Sequence, residues 1–174
     1  RRRWTRVTIP PLLTPEQYTA YLANPSDTRV TAVGAYVRAR CGWHIAPSVT
    51  VTRVFDGNGL TVLSLPTGHL TAVTAVVENG VDITDQVQWT SLGLLRLDRR
   101  WTDRWRGVEV TLTHGYDPVP ADLVALIGDV ATRLPAPGDA REKKIGPFEY
   151  FVGESLFDRH ELATIDHYAI LPGP

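Results

Sequence analysis

His114 and Asp117 stand three residues apart in His114-Gly115-Tyr116-Asp117, a spacing that could serve a pair exchanging a proton. Such a pair needs a pocket and a nucleophile. The chain has no Gly-x-Ser-x-Gly elbow, and neither a serine nor Cys41 has a nucleophile's local sequence. A strand-to-helix corner, with glycine at the bend and tyrosine over the core, accounts for the same four residues. His160 and His167, with Asp158, Glu161 and Asp166, suggest a metal site on one helix. Seven residues of helix rise about 10.5 Å, whereas one ion draws both nitrogens to about 2.1 Å, so a solvated charged face is expected instead. Asp56-Gly57-Asn58-Gly59 opens like a calcium loop, but Leu60 and Thr67 fill the fifth and twelfth places, where oxygen ligands belong. The same glycines lack the third glycine and the following helix of a dinucleotide fingerprint, so this stretch is read as a turn. With one cysteine there is no Cys-x-x-Cys pair, which removes zinc-ribbon and thioredoxin chemistry; Cys41 is expected to be a small buried residue. No catalytic residue, metal or cofactor is expected.

The densest unusual cluster is Arg99, Arg100, Trp101, Arg104, Trp105 and Arg106. Interleaved Arg and Trp can track phosphates and stack on bases. The same residue types anchor protein interfaces, and the acidic neighbours Asp98, Asp103 and Glu109 oppose a polyanion, which favours a protein surface. Charge is also uneven along the chain. Residues 1–53 hold eight arginines against Glu16 and Asp27, a net +6, while the rest carries −7, returning the overall −1. A chain polarised in this way can hold nucleic acid at its basic end, or stack on copies of itself or on an acidic partner.

The elements that would position these groups follow from period and punctuation. Thr14, Pro15 and Gln17 form a capping box with proline at the first helical position, predicting a helix that ends near Asn24 and Pro25. A second helix starts at Ser26 or Asp27, with Val30, Val33, Val37 and Cys41 on one stripe and Gly42 as its stop. From Val49 the period becomes two. Val49–Thr52 is expected to form a hairpin with Leu60–Leu65 across the Asp56–Gly59 turn. Leu70–Glu78 and Val81–Ile83 flank Asn79-Gly80, a strong hairpin signal, and short strands are expected at Val87–Thr90 and Leu94–Leu97. Val108, Val110 and Leu112 alternate with Glu109, Thr111 and Thr113 in the clearest strand. Helix returns after Pro118 and Pro120, with Leu123, Leu126, Ile127, Val130 and Leu134 on one face. After the charged loop Asp139–Lys144 and the apolar stretch Ile145–Val152, a last helix is placed from about Ser155 to Ile170.

At 174 residues the chain suits one domain, or a domain with an insertion. A composition of 43% hydrophobic and 21% charged residues excludes wholesale disorder. No apolar run reaches the ~18–20 residues of a membrane span. No apolar stretch follows Arg1, Arg2 and Arg3, so synthesis in a cytoplasm is expected. The reading is an α+β protein: a basic arm at 1–13, a helical domain of about four helices from 14–47 and 118–174 with an extended arm at 139–153, and an inserted antiparallel β subdomain, sheet, sandwich or small barrel, at 48–117. Ile145, Phe148, Tyr150, Phe151, Leu156 and Phe157 lie in a glycine- and proline-punctuated apolar stretch too short to make a core alone, which marks them for contacts with other chains.

In order and spacing, these pieces resemble the head-to-tail adaptor (head-tail connector) proteins of long-tailed bacteriophages. The likeness is carried by Ala35-Tyr36-Val37-Arg38-Ala39-Arg40-Cys41-Gly42-Trp43-His44-Ile45-Ala46-Pro47, by Leu63-Ser64-Leu65-Pro66, and by Leu70-Thr71-Ala72-Val73-Thr74-Ala75-Val76. It continues through Val108 to Asp117, Val119-Pro120-Ala121-Asp122, Ile145-Gly146-Pro147-Phe148 and Leu162 to Leu171; the arginine-rich arm has no counterpart in it. The resemblance implies a structural virion protein without catalysis. Such a protein forms a homo-oligomeric ring, typically of twelve subunits, between the portal and the stopper or tail-completion proteins, around the path of the packaged double-stranded DNA, with no membrane involved. The expected subunit or portal interface comprises Ile145, Gly146, Pro147, Phe148, Tyr150, Phe151, Leu156, Phe157, Ile165 and Tyr168. Arg1, Arg2, Arg3, Arg6, Arg99, Arg100, Arg104 and Arg106 are expected to face the DNA channel or an acidic partner. The alternative is a nucleic-acid-binding module in which residues 14–42 form a helix-turn-helix and the Arg/Trp cluster grips phosphate.

Overall fold

The computed structural model describes residues 10–19, 28–134 and 157–170. Four helices and seven strands lie among them, an α+β fold. The chain divides into two units, one running from Gly42 to Pro118 and the other drawing on Pro11–Cys41 and Val119–Ala169.

In the helical unit, α1 (Pro15–Tyr18) opens where the capping box predicts, the Gln17 side chain accepting from the Thr14 N–H at 2.8 Å. The predicted end near Asn24 lies outside the described residues. The stripe of α2 (Thr28–Cys41) is buried at Val30, Val33, Val37 and Cys41, as its spacing requires. α3 (Ala121–Arg133) buries Leu123, Leu126, Ile127 and Val130, and α2 packs against it. The last helix is a correction. α4 spans Arg159–His167 and starts behind Asp158, not at Ser155. The Asp158 carboxylate accepts from the N–H groups of His160 and Glu161, both at 2.8 Å, while Glu161 reaches back to the Asp158 N–H, so Phe157 is left outside the helix.

The β unit is a sandwich of two antiparallel sheets. Strands β1 (Val49–Phe55), β7 (Val108–His114), β3 (Leu70–Glu78) and β4 (Val81–Asp82) form one sheet in the order β1-β7-β3-β4. β2 (Val62–Ser64), β6 (Leu94–Arg96) and β5 (Gln88–Trp89) form the other, in the order β2-β6-β5. Alternation sends Val51, Val76, Val108, Val110 and Leu112 inward from the first sheet, to meet Leu63 and Leu95 from the second in one core. The β3–β4 hairpin forms as predicted, with Asn79 at φ 52° and Gly80 at φ 86°.

The predicted hairpin between Val49–Thr52 and Leu60–Leu65 does not form. β1 pairs along its whole length with β7, Val49 opposite His114 and Phe55 opposite Val108, while β2 pairs with β6. Threonine hydroxyls bridge the first pairing, Thr50 to Thr113 at 2.8 Å and Thr52 to Thr111 at 2.9 Å. The turn's own N–H groups are used elsewhere. Gly57 donates to the Arg104 carbonyl at 3.0 Å and Gly59 to the Thr102 carbonyl at 3.2 Å, so Asp56–Gly59 is a loop braced against 98–107.

Candidate interaction surfaces

The sandwich has two ends of different character. At one, the loops 56–60, 79–80 and 98–107 are fastened together. The Thr102 N–H donates to Glu78 at 2.6 Å, and Arg99 forms an ion pair with the same carboxylate. Asn79 N–H donates to the Gly107 carbonyl at 2.8 Å, Trp101 N–H to the Leu60 carbonyl at 2.8 Å, and Arg106 N–H to Asp56 at 2.7 Å. Glu78 is 7% exposed. Burial pushes its pKa up, but the hydrogen bonds from Arg99 and Thr102 and the Arg99 charge outweigh that and hold it below the usual carboxylate range. Gly57 is obligatory here, because a β-carbon would land on the Thr102 carbonyl.

This frame separates the two tryptophans of the Arg/Trp cluster. Trp101 is 2% exposed and belongs to the core, whereas Trp105 is 83% exposed at the loop tip. Arg99, Arg100, Arg104 and Arg106 are all at the surface. Four carboxylates share the same loops and their base: Asp56, Glu78, Asp98 and Asp103. The formal charge of this end is therefore zero, a poor match for a polyanion and an ordinary one for a protein surface.

The opposite end holds a group that sequence reading missed. His114 lies edge-on to His44, ring centroids 4.3 Å apart, and His69 stacks on Tyr116 at 4.1 Å. Trp43 packs against both His44 and Tyr116. Backbone bonds tie the segments together, Tyr116 N–H to the Ile45 carbonyl and Gly115 N–H to the His69 carbonyl. His114 is 2% exposed, and neither ring nitrogen has a hydrogen-bond partner among the described residues. Burial, then the neighbouring His44 and Arg53, lower its pKa to about 4, so it is neutral at pH 7. Asp117 is exposed. His114 thus acts as an apolar-facing core residue. Among the described residues no group of three or more His, Cys, Asp or Glu side chains is placed to hold a metal ion.

Of the expected interface residues, Ile145, Gly146, Pro147, Phe148, Tyr150, Phe151 and Leu156 lie outside the described residues, as do Arg1, Arg2, Arg3 and Arg6 and the arm at 139–153. Phe157 is 1% exposed and stacks on Tyr36 with centroids 4.8 Å apart, and Ile165 is fully buried. Tyr168 is half-buried, its hydroxyl donating to the Asp122 carboxylate at 2.9 Å. These three side chains are engaged inside the helical unit. Around them Arg40 holds Asp166 through two hydrogen bonds of 2.8 and 3.0 Å, which keeps the Asp166 pKa low, and Arg133 pairs with Glu161. Cys41 donates to the Ile165 carbonyl, and burial raises its pKa to about 11, which makes the thiol unreactive.

No protein-family model matches the chain, and no curated protein sequence does. Solved structures do. A chain from the neck of an empty GTA particle computed with C6 symmetry matches with a TM-score of 0.62 at 14% identity, over 98% of this chain and 96% of that one. A chain from the virion of a native gene transfer agent (GTA) particle gives 0.58 at 16%, over 98% and 96%. A chain from the neck of a native GTA particle computed with C12 symmetry gives 0.52 at 16%, over 84% and 82%. At these identities the shared property is the fold: this chain has the fold of chains from gene transfer agent particles.

Proposed function

We propose that this chain is a structural neck protein, a head-to-tail adaptor that forms a ring between portal and stopper or tail-completion proteins around the DNA path, and that it performs no catalysis. The observation that carries this reading is the likeness to chains from particle necks, over nearly the full length of both chains for the neck computed with sixfold symmetry and over more than four fifths of both for the one computed with twelvefold symmetry. Two features of the chain support it. Its ends differ in charge, +6 against −7, which suits repeated head-to-tail contact between identical copies. Its apolar segment at residues 145–151 offers a docking arm, and the helix beyond it is anchored in its own unit by Phe157 and Ile165. In this reading the arm lies on a neighbouring subunit or the portal, and the ring holds twelve copies inside the virion.

The test is to add the purified full chain to DNA-filled heads that carry portal but lack a neck, and to image the vertex by cryo-electron microscopy. A twelvefold ring of this chain below the portal is expected. A bare portal at saturating protein would overturn the proposal.

A further inference from the structure

Asparagine followed by glycine occurs twice among the described residues, at Asn58-Gly59 and Asn79-Gly80. The pair is among the least durable in a protein chain, because glycine has no side chain to shield its backbone nitrogen. Once that nitrogen gives its proton to hydroxide, it can attack the asparagine side-chain carbon Cγ. A C–N bond forms, the Cγ–Nδ2 bond breaks, and ammonia leaves with its last proton taken from water. Water then opens the five-membered succinimide at either carbonyl. One opening leaves aspartate; the other leaves isoaspartate, with the main chain rerouted through the side chain. Both asparagines are exposed, so access to water does not separate them.

Hydrogen bonding does. Asn58 is held at each polar atom the reaction uses. Its Nδ2 donates to the Val62 carbonyl at 2.8 Å, its Oδ1 accepts from the Leu60 N–H at 3.0 Å, and the Gly59 N–H, the would-be nucleophile, donates to the Thr102 carbonyl at 3.2 Å. At the second pair neither the Asn79 carboxamide nor the Gly80 N–H has a hydrogen-bond partner among the described residues. Attack needs a backbone rotation that the closed turn, with Asn79 at φ 52° and Gly80 at φ 86°, resists, so it proceeds as the hairpin frays. That fraying is local. β4 makes only the pairings Val77 with Asp82 and Glu78 with Val81, and both its residues are exposed. Just beyond, Ile83 is buried and its N–H donates to the Val76 carbonyl at 2.9 Å, which stops the opening there.

We propose that Asn79 is a site of spontaneous deamidation and isomerisation in the folded protein, that Asn58 is preserved by its hydrogen bonds, and that the isoaspartate product loosens the 98–107 loop. The Asn79 N–H braces that loop through the Gly107 carbonyl at 2.8 Å, and rerouting the main chain at this residue displaces the donor. The new carboxylate also stands next in sequence to Glu78 and adds one negative charge to an end whose formal charge is zero. This inference goes beyond the neck reading and does not depend on it.

The test ages the purified full chain at mildly alkaline pH, in native buffer and in concentrated urea. Peptide mass spectrometry follows deamidation at each asparagine, and labelling with an isoaspartate methyltransferase reports the rerouted product. In native buffer Asn79 should convert at least tenfold faster than Asn58, and faster as the pH rises. In urea the two rates should draw together, since the bonds that guard Asn58 are gone. Amide exchange of the aged protein should quicken at residue 79 and at Thr102. Asn79→Asp, which adds the charge without rerouting the chain and keeps a residue type that tolerates positive φ, should leave the Thr102 exchange close to wild type. Equal rates at the two asparagines in native buffer, or conversion of Asn79 in urea only, would overturn the assignment of the site. Full conversion to isoaspartate with unchanged exchange at Thr102 would overturn the loosening of the loop.

Discussion

His114 and Glu78 are buried titratable groups at opposite ends of one sandwich, and both make the β unit sensitive to acid. The pKa of His114 falls from 6.5 to about 4 on folding, so between those values the unfolded chain binds a proton that the folded chain refuses. Its contribution is intact above pH 6.5 and is lost as the pH drops, by about 2 kcal/mol between pH 7 and pH 5. Urea unfolding of wild type and His114→Phe at the two pH values checks this. The wild type should lose stability more steeply, and equal slopes would contradict the buried neutral imidazole. Glu78 adds a second loss at lower pH, because with a depressed pKa the carboxylate's contribution is fully present above its unfolded value of 4.5 and is lost progressively as the pH falls from there through its lower folded value. Glu78→Ala removes the group that receives both Arg99 and the Thr102 N–H, at an expected cost of about 1–3 kcal/mol. Amide exchange at Thr102 should accelerate in the same variant, and unchanged protection would show that the loop holds its shape without the carboxylate.

Among the elements, the start of α4 rests on Asp158 and its hydrophobic seat on Phe157. Phe157→Ala removes a fully buried ring stacked on Tyr36 and should destabilise the helical unit by about 3–5 kcal/mol, read as a lower urea midpoint with the β unit's Trp101 environment unchanged. A loss below about 1 kcal/mol would mean that the ring is not a core residue. The signal for this helix start was present in the sequence, since Asp158-Arg159-His160-Glu161 has the same capping-box spacing that located α1. It was hidden by the charged residues' second reading as a solvated face. Most elements were legible because their period is local: the Val30–Cys41 stripe, the Leu123–Val130 stripe and the Val108–Thr113 alternation. Partnering was not. The partner of β1 lies more than fifty residues on, at β7, and a glycine-rich turn after β1 looks the same whether the chain turns back or crosses to another sheet. The imidazole cluster was illegible for the same reason, since Trp43, His44, His69, His114 and Tyr116 are gathered from three separate stretches.

At the scale of the whole molecule, the proposed function divides the work between a folded scaffold and segments that act on other chains. Phe148→Asp should abolish the chain's assembly on portal-bearing heads while leaving its circular dichroism and urea midpoint unchanged; normal ring occupancy would remove the arm from the interface. Reversing Arg1, Arg2, Arg3 and Arg6 to glutamate removes four positive charges and adds four negative ones, and is expected to lower DNA retention or ring occupancy in a way that rising salt reproduces in wild type. If neither changes, these arginines have no acidic partner in the particle.

The long-range pairing of β1 with β7 also sets a schedule for the chain's birth on the ribosome. Val49–Phe55 leaves the exit tunnel well before Val108–His114 exists to receive it, an interval on the order of several seconds at about 5–20 residues per second. Throughout that interval β1 is a nascent Val/Thr-rich strand with both edges open, competent to pair with the wrong chain. Yield of native protein should therefore depend on translation speed through residues 56–107 more than on the final stability of the sandwich, because the hazard ends only when the last strand arrives.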